Sequence, residues 1–399
     1  MGSLLNFIFE KSYNDINGVD FCTTGPLTKT LIQKYSTTNH LELKEGYKNI
    51  LFYEVQHPHE FLDYILSKKN ICRLLDRDDF KILFAMIPDP STEDWYNRFQ
   101  SNVLEKLKGK VIFIDTNVAI KNIYTFHFFL EQAVDYVDSI FKEKSPDYFQ
   151  EDLKYKNEPI HINELDNFRN KKFLSFNRVI QKYHRYRLFF DWGRNDFSDS
   201  YFSFLNRYEG GWKVGGNAQS EMEKHYGADY CEKMFEKLPI ELDTQEVKRD
   251  GKIVMWSRTH NNFKKELFLN SCINIVTETS FQDNELFISE KILKPIIGYQ
   301  PFIVLGPQNY LKELKKLGFK TFSHIWDESY DSIESASKRY ERVIKLILDL
   351  NKKSIDELNK IYKSVKDICI YNRNHIKKLN NDSLTKIFNN IENNWNNII

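Results

Sequence analysis

No run of the sequence reaches the roughly 18 consecutive apolar residues that a membrane-spanning helix needs. Cysteine is scarce. The five cysteines, Cys22, Cys72, Cys231, Cys272 and Cys369, are an odd number at wide spacing, with no Cys-x-x-Cys pair. That pattern excludes a zinc ribbon and a thioredoxin-type redox site, and it predicts buried, reduced thiols in a reducing compartment. Glycine (15) and proline (10) are scattered singly, which excludes collagen-like and low-complexity architecture. The formal charge is only +1 over 399 residues, so no global field draws the chain to nucleic acid. The opening MGSLLNFIFEKS has no basic start and too short an apolar run for a signal peptide, and Asn6 stands where myristoylation wants Ser or Thr. These absences lead to the expectation of a soluble, cytoplasmic protein. What is plentiful is apolar surface: 41% hydrophobic and 15% aromatic residues exclude global disorder and suffice for two or three cores.

The pattern of those apolar residues predicts an α/β fold. Asn49–Gln56, Phe80–Ile87 and Lys110–Asp115 are short, β-branched and aromatic, and helix-like stretches such as Glu60–Leu66 and Asp94–Leu107 separate them. Strands alternating with helices give a parallel sheet covered on both faces. Phe126–Phe141 reads as a long buried helix, and the polar stretch from Glu143 to Asn170 reads as a linker. The rhythm then restarts: strand Lys172–Phe176, helix Val179–Phe190, strand Cys272–Thr277, helix Ser289–Gly298, strand Pro301–Gly306, helix Asn309–Leu317 and strand Lys320–Phe322. Two helices with apolar faces follow. A last one carries Leu384, Ile387, Phe388, Ile391 and Trp395 at spacings of three and four. The expected architecture is two Rossmann-like, doubly wound domains facing a cleft, residues 1–165 and 166–399, with a helical C-terminal tail whose last helix crosses back to the first domain.

In such sheets ligands bind beyond the carboxyl ends of the strands, and two facing domains suit transfer of a group from a nucleotide donor to an acceptor. The sharpest segment is Asn274–Pro307. Here a strand runs into Thr277-Glu278-Thr279-Ser280, a polar loop follows, and a helix opens at Ser289-Glu290-Lys291. Ser289 is a good N-cap, Glu290 suits the positive helix end, and Lys291 offers an ammonium to an anion. Upstream, Asn177 and Arg178 sit at a strand end, and Arg185 and Arg187 lie in the following helix, where a guanidinium fork can hold two phosphate oxygens. In the first half, Glu54 ends the strand NILFYEVQ, with His57, His59 and Glu60 just beyond it. A carboxylate there can take the proton of an attacking hydroxyl. Asp191–Asp196 and Gly210–Asn217 read as loops that match neither a P-loop nor a dinucleotide fingerprint. Asp76-Arg77-Asp78 is placed outside a strand end, which argues against a divalent cation.

The segments VTETS, ELFISEK and IGYQPFIVLG resemble the donor-binding motif of the α1,3-fucosyltransferases and, more distantly, of exostosin-type glycosyltransferases. KFLSFNRVIQKYHRYRLFFDWGR resembles the first strand and helix of the same donor domain. The resemblance covers about half of the chain. It implies a GT-B glycosyltransferase that is metal-independent and inverting, using a nucleotide-sugar co-substrate such as GDP-fucose and a glycan or other hydroxyl acceptor. It further implies that Glu290 binds ribose or sugar hydroxyls and Lys291 a phosphate, and that an arginine after Asn177 meets the diphosphate. Phe287 stands where the family has a Tyr, and Thr279 where it has Asn. Glu278, Ser280 and Ser289 join the candidate donor contacts. By the same resemblance Glu54, with His57 beside it, is the catalytic candidate. The alternatives are a catalytically inactive nucleotide-sugar binding module and a transferase acting with another donor on modified nucleic-acid bases. The basic stretch Lys352–Lys386 reads as a solvated helix face, with weak membrane-surface contact through the basic C-terminal helices as its alternative.

Overall fold

The computed structural model describes residues 4–9, 31–55 except 33 and 40, 65–86, 106–141 in part, 157–177, 183–204, 216–242, 247–249, 252–254, 263–282, 285–379 and 383–397. Packing divides the chain into two units. One comprises Met1–Glu131, Asn284–Phe287 and Asn380–Ile399; the other comprises Gln132–Asp283 and Ile288–Leu379.

The first unit is built on a parallel sheet. Strand β1 (Leu5–Phe9), β2 (Ser36–Asn39) and β3 (Lys48–Val55) precede helix α1 (Lys69–Leu74), and β4 (Phe80–Met86), β5 (Val111–Asp115) and β6 (Tyr124–Thr125) follow it. The spatial order is β2-β1-β3-β4-β5-β6, with every pairing parallel. Alternating residues of the strands feed two clusters, one on each face of the sheet. Leu51, Tyr53, Ile82, Phe84 and Phe113 pack with Ile71 and Leu75, whereas Phe7, Ile50, Phe52, Leu83 and Ile112 belong to the other cluster.

The second unit runs β7 (Lys171–Asn177), α2 (Tyr183–Arg194), β8 (Tyr201–Phe204), α3 (Gly216–Tyr226) and α4 (Ala228–Phe235). An antiparallel hairpin of β9 (Val247–Arg249) and β10 (Lys252–Val254) comes next, then α5 (Lys265–Asn270), β11 (Ser271–Thr277), α6 (Leu293–Ile297), β12 (Phe302–Leu305) and α7 (Tyr310–Lys316). Long helices α8 (Ala336–Asn351) and α9 (Ile355–Ile376) close the unit. Its sheet has the order β12-β11-β7-β8 and is parallel throughout. Ser335 and Ser354 cap α8 and α9, and Glu357 completes a capping box at the second.

The chain ends in α10 (Ser383–Asn393), which belongs to the first unit. Its Leu384, Ile387, Phe388 and Ile391, with Trp395 beyond, complete the cluster around Phe7 and Phe52. The Phe388 ring meets Phe7 edge-on at 5.2 Å, and the Trp395 indole N–H donates to the Asp78 carbonyl at 2.6 Å. The architecture is therefore α/β, with parallel sheets and a helical C-terminal region. Among the described residues no helix is long and apolar enough to cross a membrane.

Several local expectations need correction. Lys320–Phe322 is not a strand. The Asn372 side chain accepts from Lys320 N–H and donates to Lys320 C=O, both at 2.8 Å, and so takes the place of a neighbouring strand. Asp191–Arg194 is not a loop but the last turn of α2, where the Asp191 carboxylate accepts from the hydroxyls of Tyr226 and Tyr340. The helix expected from Phe126 starts later, because Phe126 N–H donates to Asp115 C=O and prolongs the approach to the sheet. The helix expected over Ser289–Gly298 begins as a 3₁₀ turn, Glu290–Ile292, before α6. Cys231, Cys272 and Cys369 are buried free thiols and Cys72 is half-buried; Cys22 lies outside the described residues. Burial pushes the Cys272 thiol up to about 12, which keeps it protonated and inert at neutral pH.

Gly298 ends α6 where no side chain fits. A Cβ there would lie 2.3 Å from Phe268 Cδ1, and that ring stacks on Phe263 at 4.5 Å. Gly298→Ala is expected to cost about 1–3 kcal/mol through overpacking, read as a lower urea midpoint. An unchanged midpoint would show that Phe268 yields freely.

Candidate functional site

Strand order decides where the second unit gathers its polar residues. From β7 the chain moves to β8 on one side and later to β11 on the other, so the order reverses between β7 and β11. At such a reversal the two connections leave in opposite directions and open a crevice beyond the strand ends. A cavity lies there, lined by Phe176 and Asn177 of β7, Ser203 of β8, residues 274–277 of β11, Arg185 of α2, and Glu290, Lys291 and Lys294. Four of the sequence candidates, Asn177, Arg185, Glu290 and Lys291, are thus brought to one wall.

Each is held in place. Asn177 Oδ1 accepts from the Thr277 hydroxyl at 2.7 Å, and its amide donates to Ser175 Oγ at 3.1 Å, tying the two strand ends together. The Arg185 guanidinium donates to the carbonyls of Thr277 (3.2 Å) and Glu278 (2.9 Å), which close β11. Burial lowers its pKa to about 10, with Glu278 and Glu290 acting in the opposite direction, so it remains a cation at neutral pH. Lys291 Nζ reaches Thr279 Oγ1 at 2.9 Å, Glu290 Oε1 at 3.0 Å and Ser289 Oγ at 3.3 Å. Ser289 caps the 3₁₀ turn as its sequence position predicts, accepting from Lys291 N–H. The turn is too short to present much of a dipole, so its cations carry the attraction for an anion.

Glu278 has a different place from the one the sequence implies. It is fully buried, and both carboxylate oxygens are occupied. Oε1 accepts from the Tyr310 hydroxyl at 2.5 Å and Ser289 N–H at 3.2 Å; Oε2 accepts from Ser289 Oγ at 2.5 Å and Thr279 N–H at 3.0 Å. Burial, and after it the Glu278 charge, holds the Tyr310 phenol well above its ordinary pKa, so it stays a donor. Glu278 therefore braces the end of β11 against the turn that carries Lys291. His184 supports the same corner, its Nε2 2.9 Å from the Glu278 carbonyl and its ring stacked on Phe281 at 4.7 Å.

Other candidates lie away from the cavity. The Arg187 guanidinium stacks on the Tyr340 ring at 4.1 Å. Ser280 is buried outside the cavity wall. Phe287 is buried in the first unit, because Leu286 before it is fixed by Asn117 Oδ1 (2.9 Å) and Val118 N–H (3.0 Å). Arg178 and His57 lie outside the described residues. Glu54 is in β3, paired in register with Ala85; its side chain also lies outside them. Asp115, the last residue of β5, is buried and accepts from Asn117 N–H at 2.7 Å. Among the described residues no group of three or more His, Cys, Asp or Glu could hold a metal ion.

The chain matches no protein-family description, and no curated protein matches it in sequence. Solved structures do. A crystal structure of α1,3-fucosyltransferase with GDP aligns at 10% identity and a TM-score of 0.37, covering 92% of this chain and 91% of that one. A second crystal structure of α1,3-fucosyltransferase aligns at 13% identity and a TM-score of 0.33, covering 92% and 89%.

Lys294 is a wall residue that sequence reasoning missed. In the string EKILKPII it looks like a solvated lysine, but its position three residues after Lys291 puts it on the same side of the turn. Ser203 was hidden inside the strand YFSF for lack of any flanking signal.

Proposed function

We propose that this protein is a glycosyltransferase of GT-B architecture that moves a sugar from a nucleotide-diphosphate donor, GDP-fucose-like, to a hydroxyl acceptor with inversion and without a metal. The single observation that carries the reading is the convergence of Arg185, Glu290 and Lys291 on one cavity at the strand-order reversal. In this reading the second unit takes the donor and the first the acceptor. Arg185 and Lys291 neutralise the diphosphate, and Glu290 accepts from a ribose or sugar hydroxyl. Glu54 removes the acceptor proton as that oxygen bonds to the anomeric carbon and the nucleoside diphosphate leaves. The leaving group carries away the charge that the two cations already face, which favours the transition state over the bound donor.

Calorimetry with GDP, UDP and ADP is the direct test. One of them is expected to bind the wild-type protein, and Lys291→Ala is expected to weaken that binding at least about tenfold, the loss of one hydrogen bond to a charged group. Unchanged affinity in a folded Lys291→Ala protein would remove this cavity as the donor site. Slow release of free sugar from the matching nucleotide sugar separates a transferase from an inactive binding module.

A further inference from the structure

We propose that Lys294 is a further phosphate-binding residue of this cavity, one that favours two linked phosphoryl groups over a single phosphate; the inference rests on the proposed donor site and deepens it. Lys294 is only 6% exposed, an uncommon state for a lysine, and it lines the cavity together with Arg185 and Lys291. Its ammonium lies 4.8 Å from the centroid of the Phe176 ring, another wall residue. A ring face offsets part of the cost of taking an ammonium out of water.

The charge distribution points the same way. Of the two carboxylates at the site, Glu290 lies 3.0 Å from Lys291 Nζ, and Glu278 is the brace behind the wall. Among the described residues, three cations, Arg185, Lys291 and Lys294, line the wall with one carboxylate, Glu290. Lys291 and Lys294 stand three residues apart on continuous helical backbone, where such neighbours have Cβ atoms roughly 5–6 Å apart. Two ammonium groups one turn apart can each hold a different phosphoryl group of a diphosphate, while a lone phosphate is served by one of them. Arg185 adds a guanidinium from a separate element, α2.

The experiment titrates inorganic pyrophosphate and inorganic phosphate into the full-length wild-type, Lys294→Met and Lys294→Arg proteins by calorimetry, with thermal unfolding to establish folding. Lys294→Met is expected to lose at least about tenfold in pyrophosphate affinity but less than about threefold for phosphate, with Lys294→Arg within about threefold of wild type for both. If Lys294→Met does not fold, Lys294→Gln is read in the same way. Pyrophosphate affinity unchanged in the neutral variants, or an equal loss for both anions, overturns the role of Lys294 and leaves the donor site standing. A wild-type protein that binds neither anion overturns both.

Discussion

Glu54→Gln should leave nucleotide binding within about twofold of wild type and lower turnover by about 10²–10⁴, the range for loss of a general base. The expectation follows from where the strand lies. The order of the first sheet reverses between β1 and β3, so the crevice of that unit opens beyond their carboxyl ends, and Glu54 is one residue from the end of β3. Gln keeps the size and hydrogen-bonding shape of the side chain and removes its basicity. A drop confined to the chemical step is therefore the signature of a base rather than of a binding residue. Near-wild-type turnover in a folded Glu54→Gln protein would assign the proton to another group and leave the donor cavity untouched.

Glu278→Ala should destabilise the second unit by about 3–5 kcal/mol, because it removes a buried, fully bonded carboxylate and strands its donors. The hydroxyls of Tyr310 and Ser289 and the N–H groups of Ser289 and Thr279 would all lose an acceptor. Urea unfolding measures the loss directly. If Glu278 were instead a ligand contact, Glu278→Ala would keep its unfolding midpoint and lose only nucleotide affinity. Ser289→Ala separates the two further: it removes one donor to the brace and the cap of the turn, and a smaller loss of about 1 kcal/mol is expected.

Much of this fold was legible because the central strands are nearly continuous apolar runs. KNILFYEV, FKILFAM and SCINIVT each announce a strand buried on both faces, and the parallel order follows from the helices between them. The Ser289 cap was legible too, since its physics is local to three residues. What escaped the sequence depends on partners far along the chain. Asn372 gives no sign of pairing with Lys320, and nothing in LFIS marks the backbone beside Phe287 for Asn117 and Val118. The bracing hydrogen bonds of Glu278 were not legible for a related reason. A carboxylate at a strand end looks the same whether it meets a ligand or Tyr310, and Tyr310 lies 32 residues away. Arg187 went astray by geometry: two positions from Arg185 on one helix, it points to a different side, toward Tyr340.

The placement of α10 sets an order on the making of the protein. The first sheet leaves the ribosome before the second unit, yet the cluster on one of its faces lacks five of its buried members until Leu384–Trp395 have been synthesised. At about 5–20 residues per second, the roughly 260 residues between Glu131 and Trp395 take about 13–50 s to translate. For that interval the cluster around Phe7, Phe52, Leu83 and Ile112 is incomplete, while the whole of the second unit is being made. The half made first is thus completed last. A nascent chain stalled before residue 384 would carry a chaperone-binding surface that the finished molecule hides.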